Sequence, residues 1–156
     1  MEFTPFSTPD MARLLTLYAQ WVRQYGFQAP GAGNIDEFLH APGDTVLFFA
    51  DDPRRLPESW DVAVILPDIL AAHRPALRVG LLDPHLGREL AAQFGVRIWP
   101  SLVFLRDGNY LGALDRMRDW DDYAVQIPDI LARSASTPPL AAAASATNSN
   151  SKGTLQ

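Results

Sequence analysis

The chain of 156 residues contains no cysteine. That absence excludes disulfides, thiolate metal sites and any reaction that begins with thiolate attack. Basic runs are missing too. Arg54-Arg55 and Arg116-x-Arg118 are only local pairs, and the net charge is −5. A nucleic-acid binder needs a concentrated basic surface to displace counterions, so that class is disfavoured. No apolar run approaches the roughly 20 residues of a spanning helix; the longest are Val46–Ala50 and Val62–Leu66. Met1-Glu2-Phe3-Thr4-Pro5 lacks the positive start and apolar stretch of a signal peptide, so a cytoplasmic location is expected.

What remains is ordinary for one globular domain: 47% hydrophobic and 20% charged residues. The composition changes near Ser134. Ser136-Thr137-Pro138-Pro139, a small-residue run over Ala141–Ala146 and then Thr147-Asn148-Ser149-Asn150-Ser151 offer little to bury. We therefore expect a folded domain over residues 1–135 and a disordered tail over 136–156.

Thr8 as cap and Pro9 as first residue open an N-terminal helix, with Leu14, Tyr18, Trp21, Val22 and Tyr25 at helical spacing and Gly26 ending it. A weak strand near Phe27–Ala29 precedes a short helix, in which Asn34 and Glu37 have capping-box spacing. Thr45–Ala50 reads as a buried strand. A helix over about Ser59–His73 contains Pro67, and Leu77–Leu82 is a second strand. Asp83-Pro84 opens a helix carrying Leu86, Leu90 and Phe94, closed by Gly95. Ser101–Arg106 and Asn109–Leu114 flank Asp107-Gly108, a strong hairpin signal. Asp119 caps a last helix with Trp120, Tyr123, Ile127, Ile130 and Leu131, bent or broken at Pro128. Trp21 and Trp120 fit core-facing positions. A strand–helix–strand unit followed by a helix and a hairpin predicts an α/β fold: a mixed sheet with helices on both faces.

No arrangement of these residues makes an active site. His40, His73 and His85 share no metal-ligand spacing, Ser59 and Asp61 lack a base, and no glycine-rich phosphate loop occurs. Asp51, Asp52, Glu58 and Asp61 cluster in sequence, with Arg54 and Arg55 among them. They read either as a solvated loop with helix-start acids or as an acidic rim for arginines of a partner peptide. Trp60 and Trp99 read either as core or as anchors for a partner.

The succession of elements resembles thioredoxin, and Phe94-Gly95-Val96 through Pro100 to Gly112 is similar to its second half. The local likeness is to one branch: the cysteine-free, thioredoxin-like accessory proteins of nickel–iron hydrogenase maturation, the HyaE/HupG/HoxO family. Asp52-Pro53-Arg54-Arg55-x-Pro57-Glu58, Phe94-Gly95-Val96 with Pro100, and Gly108-Asn109-Tyr110-x-Gly112-x-Leu114 followed by Trp120 carry it. The resemblance implies a three-layer thioredoxin-like fold without CxxC, in which Ser59-Trp60-Asp61-Val62 stand near the redox motif and Leu47 replaces a buried proton-handling carboxylate. It also implies a cis bond before Pro100, at a groove. The expected function is then binding without catalysis, cofactor or metal. The partner it implies is the hydrogenase small-subunit precursor, with its twin-arginine signal peptide, and the surface would be Asp51, Asp52, Glu58, Trp60, Asp61, Trp99 and Pro100. The alternatives are a redox-inactive adaptor for an unrelated partner and, disfavoured by the missing thiol, a residual redox enzyme.

Overall fold

The computed structural model describes residues 8–139. Its centre is a four-stranded sheet in the order β2-β1-β3-β4, with β1 Asp44–Phe49, β2 Leu77–Leu82, β3 Ser101–Arg106 and β4 Asn109–Asp115. β1 runs parallel to β2 and antiparallel to β3, and β3 is antiparallel to β4. The extra strand near Phe27 is one parallel bridge long. Gln28 donates its N–H to the Val79 carbonyl (2.9 Å) and accepts from Leu81 N–H (2.7 Å).

Both faces of the sheet are covered, which is why β1 is apolar at successive positions rather than alternate ones. Val46 and Phe48 of β1, with Leu102 and Phe104 of β3, pack under α1 (Met11–Tyr25), α3 (Glu58–Ile69) and α5 (Trp120–Leu131). Leu47, Phe49, Val103 and Leu105 point the other way, toward α2 (Ile35–His40) and α4 (Pro84–Leu90). This is the expected three-layer, thioredoxin-like α/β architecture.

The helix ends differ from expectation in detail. Asp10, not Thr8, caps α1: its carboxylate accepts from Arg13 N–H at 2.9 Å, which leaves Pro9 outside the helix. Gly26 closes α1 with φ 72° and donates to the Val22 carbonyl. Asn34 stands at the start of α2 but makes no capping-box bond, because its side-chain oxygen accepts from Gly31 N–H in the preceding turn. α3 stops at Ile69, four residues short of His73, and a 3₁₀ turn at Arg74–Ala76 follows. Beyond Ile69 the backbone tightens into turns, with Ala71 N–H on the Asp68 carbonyl and His73 N–H on the Leu70 carbonyl. The helix expected from Asp83-Pro84 to Gly95 is α4, capped by Asp83, plus a tighter 3₁₀ turn at Ala92–Phe94, closed by Gly95 at φ 70°. α5 runs on through Pro128 to Leu131. Trp120, expected in the core, is 58% exposed: α5 buries Tyr123, Ile127 and Ile130, and Trp120 overhangs its first turn.

The β3–β4 hairpin turns at Asp107 (φ 52°) and Gly108 (φ 83°), the left-handed pair that tight hairpins use. Asp107 is also tied to the start of β1. Its N–H donates to the Gly43 carbonyl (2.9 Å) and its carboxylate accepts from Gly43 N–H (2.7 Å).

Candidate functional site

Strand register gathers the candidate residues at one end of the sheet. Phe49 lies between Leu82 and Ser101, and Ser101 in turn lies beside Asp115. The loop after β1, the start of α3, the Trp99–Pro100 turn and the segment after β4 therefore share that end. The Trp99–Pro100 bond is cis. The buried Pro100 presents its carbonyl to Arg116 N–H at 2.6 Å, and Arg116 holds a left-handed φ of 54°. Ser101 Oγ closes the turn on the Ile98 carbonyl at 2.6 Å.

The four acids differ in what they have free. Asp51 faces Arg88 of α4 (3.7 Å) and Arg55 (3.9 Å), and its Oδ1 accepts from Asp52 N–H. Asp52 is spent on its own turn: its side chain accepts from Arg54 N–H (2.9 Å), and its carbonyl accepts from Arg55 and Leu56. Glu58 and Asp61, in the first turn of α3, are exposed. Neither has an ion-pair partner among the described residues, and both stand where a helix N-terminus favours negative charge.

The segment placed near a thioredoxin's redox motif is the start of α3. Ser59 is fully buried and its Oγ accepts from Asp51 N–H at 2.9 Å, so the hydroxyl pins the loop to the helix. Leu47, in the place of the proton-handling carboxylate, is fully buried among apolar side chains. With no thiol in the chain, the arrangement has no means of disulfide exchange.

Trp60 is half-buried against the core, with the Arg13 guanidinium 5.0 Å from its ring centre. Trp99 is half-buried on the opposite face of the sheet. Its Nε1 is buried and has no hydrogen-bond partner among the described residues.

Sequence reasoning missed the apolar and basic parts of this end. Ile98 and Met117, on the two segments joined by the Pro100–Arg116 bond, are 39% and 41% exposed. Arg118 is held by Asp115 and Asp122, each at 3.0 Å, and its N–H donates to the Tyr123 hydroxyl at 3.2 Å. Burial raises the Tyr123 hydroxyl above its ordinary value, and the nearby Asp122 and Glu58 charges add to this against the opposing pull of Arg118. The Arg116-x-Arg118 pair was the only sequence signal for this cluster. This end of the sheet is therefore mixed: exposed carboxylates at Glu58 and Asp61, exposed guanidinium groups at Arg97 and Arg116, a part-covered tryptophan on each side of the sheet, and exposed apolar side chains at Ile98 and Met117.

Comparison with known proteins places the chain. A sequence model of the family described as Hydrogenase-1 expression protein HyaE matches residues 17–123. Over 134 residues the chain is 41% identical to the hydrogenase expression/formation protein HoxO of Cupriavidus necator, covering 84% of this chain and 78% of that protein. It is 35% identical over 114 residues to the hydrogenase expression/formation protein HupG of Bradyrhizobium diazoefficiens, covering 70% and 77%. The crystal structure of the hupG protein of Rhodopseudomonas palustris CGA009 is 34% identical, with a TM-score of 0.46 over 67% of this chain and 95% of that one. The chain belongs to the HyaE family of hydrogenase expression proteins.

Proposed function

We propose that this protein serves hydrogenase expression and formation as a chaperone or assembly factor without turnover, and that it binds the precursor of the nickel–iron hydrogenase small subunit before export. One observation carries the reading. The chain has no thiol for disulfide exchange, yet its Trp99–Pro100 turn stands among partly exposed apolar side chains. Burying Trp99, Ile98 and Met117 against a partner supplies the favourable term. Glu58 and Asp61 supply complementarity to a basic segment such as a twin-arginine signal peptide, and in that role they steer more than they hold. Asp51 and Asp52 act by shaping the loop that presents α3.

The test is capture from the native cell with tagged protein. The expected result is co-purification of the small-subunit precursor with its signal peptide attached, in excess over the processed subunit. Capture of an unrelated partner with no hydrogenase subunit would favour an adaptor role. Recovery of neither precursor nor processed subunit defeats the reading.

A further inference from the structure

α3 and α5 pack on the same face of the sheet and leave a cleft of about 320 Å³ between them. Buried Ile69 and Tyr123 line it, and the Tyr123 hydroxyl is turned away to Arg118 N–H at 3.2 Å. Asp68 borders it on the α3 side; Trp120, Ala124 and Pro128, at four-residue steps, form one stripe on the α5 side. Trp120 is the largest apolar side chain left open in the described residues, at 58% exposure. On α3, Glu58, Asp61, Ile65 and Asp68 follow one another at three- and four-residue steps and so share a stripe. That stripe starts at the Pro100 end of the sheet and leads into the cleft. Its acids are exposed, and among the described residues neither Asp61 nor Asp68 has an ion-pair partner. The cations nearby are engaged. Arg118 is held by Asp115 and Asp122 (3.0 Å each), Arg116 leans on Asp115 (3.8 Å), and Arg13 lies over the Trp60 ring. Arg97 lines a cleft on the opposite face with Val96 and Tyr110.

We propose that this groove holds the apolar stretch of the precursor's signal peptide, with the peptide's paired basic residues at Glu58 and Asp61. The inference rests on the function proposed above and adds an apolar half to its site. A signal peptide carries a basic start and then an apolar run of about 7–15 residues. α3 presents the matching order, two acids at its head and an apolar cleft beyond them. The open Trp120 ring gains burial from the apolar run. Asp68 on the rim turns away acidic segments, which sharpens the choice of partner.

The test uses the full chain and two synthetic peptides: the signal peptide of the small-subunit precursor, and the same peptide with its apolar stretch replaced by serine and glutamine. Binding is followed through the tryptophan indole N–H signals of isotope-labelled protein, that of Trp120 being identified by its loss in Trp120→Phe. The natural peptide should shift the Trp120 signal and the polar peptide should not. Trp120→Ala, at an exposed position that leaves the fold intact, should weaken binding of the natural peptide about tenfold, as for loss of a tryptophan anchor, at low and high salt alike. Ala124→Gln, which fills the cleft from its exposed wall, should weaken it in the same direction. Binding with the Trp120 signal unmoved, equal affinity for the two peptides, or unchanged affinity in both variants overturns the groove and leaves the Pro100 end as the whole site. If wild type binds neither peptide, the intact precursor separates the two claims. Precursor bound by wild type overturns the groove alone, and no precursor bound overturns the groove and the proposed function together.

Discussion

Single residues set the limits of this fold. Gly80 lies in β2 where a Cβ would stand 2.6 Å from Phe38 Cε2 and 3.2 Å from Leu47 Cδ2. Both neighbours are buried, so neither can move away freely. Gly80→Ala should cost about 1–3 kcal/mol through overpacking, read as a fall of several degrees in thermal midpoint. Tyr18 shows how burial couples to pH. Its hydroxyl donates to the Leu82 carbonyl at 2.8 Å, and burial, with the Asp83 charge behind it, raises its pKa well above the ordinary value. The folded state thus holds this proton more tightly than the unfolded chain. The resulting stability is fully present below about pH 10 and is lost as pH rises through the folded value. Denaturant titrations between pH 7 and 11 should show that decline. Tyr18→Phe should lower stability at pH 7 by about 1 kcal/mol, for the lost hydrogen bond, and flatten the alkaline limb. An unchanged alkaline limb in that variant would place the titrating group elsewhere.

At the scale of elements, local signals located nearly everything and mislocated what depends on neighbours. Thr8 and Asp10 are both good caps two residues apart, and only the geometry shows the carboxylate on Arg13 N–H. Asp10→Ala should cost about 1 kcal/mol of stability, whereas Thr8→Ala should cost nothing measurable by chemical denaturation. The four strands were legible because each apolar run is bounded by turn residues, and the hairpin because Asp107-Gly108 suits positive φ. Trp120 was misjudged because periodicity says which stripe of a helix is apolar, not where the sheet beneath it ends. The site was legible in part. Glu58, Asp61, Trp60, Trp99 and Pro100 could be named from sequence. The pairing of Asp51 with Arg88 could not, since it joins two elements 37 positions apart. Nor could the joining of the Trp99–Pro100 turn to the segment after β4, which strand register and the Pro100–Arg116 hydrogen bond bring about.

For the whole molecule, the scaffold separates support from contact. Sheet, buried serine and Asp51 hold the Pro100 end in shape, and the side chains left open there are acidic at Glu58 and Asp61, apolar at Ile98 and Met117, and basic at Arg97 and Arg116. Electrostatic and apolar contributions to binding can therefore be told apart by salt. Charged contacts on the surface are screened within about 8–10 Å at physiological ionic strength, and buried apolar area is not. The central claim is recognition of a hydrogenase small-subunit precursor through this end of the sheet. It is tested most directly by the affinity of purified protein for that precursor, measured by calorimetry at low and high salt. Wild type is compared with Glu58→Lys/Asp61→Lys and with Trp99→Ala, each checked for an intact fold by circular dichroism. The account predicts that the charge reversal weakens binding by roughly twofold to thirtyfold at low salt, from about 0.2–1 kcal/mol per exposed charge, and has little effect at high salt. It predicts that Trp99→Ala weakens binding by about thirtyfold, as for an anchor worth about 2 kcal/mol, at both salt concentrations. Wild-type affinity for the precursor with neither variant differing from it would contradict the placement of the site, and no measurable binding by wild type would contradict the function.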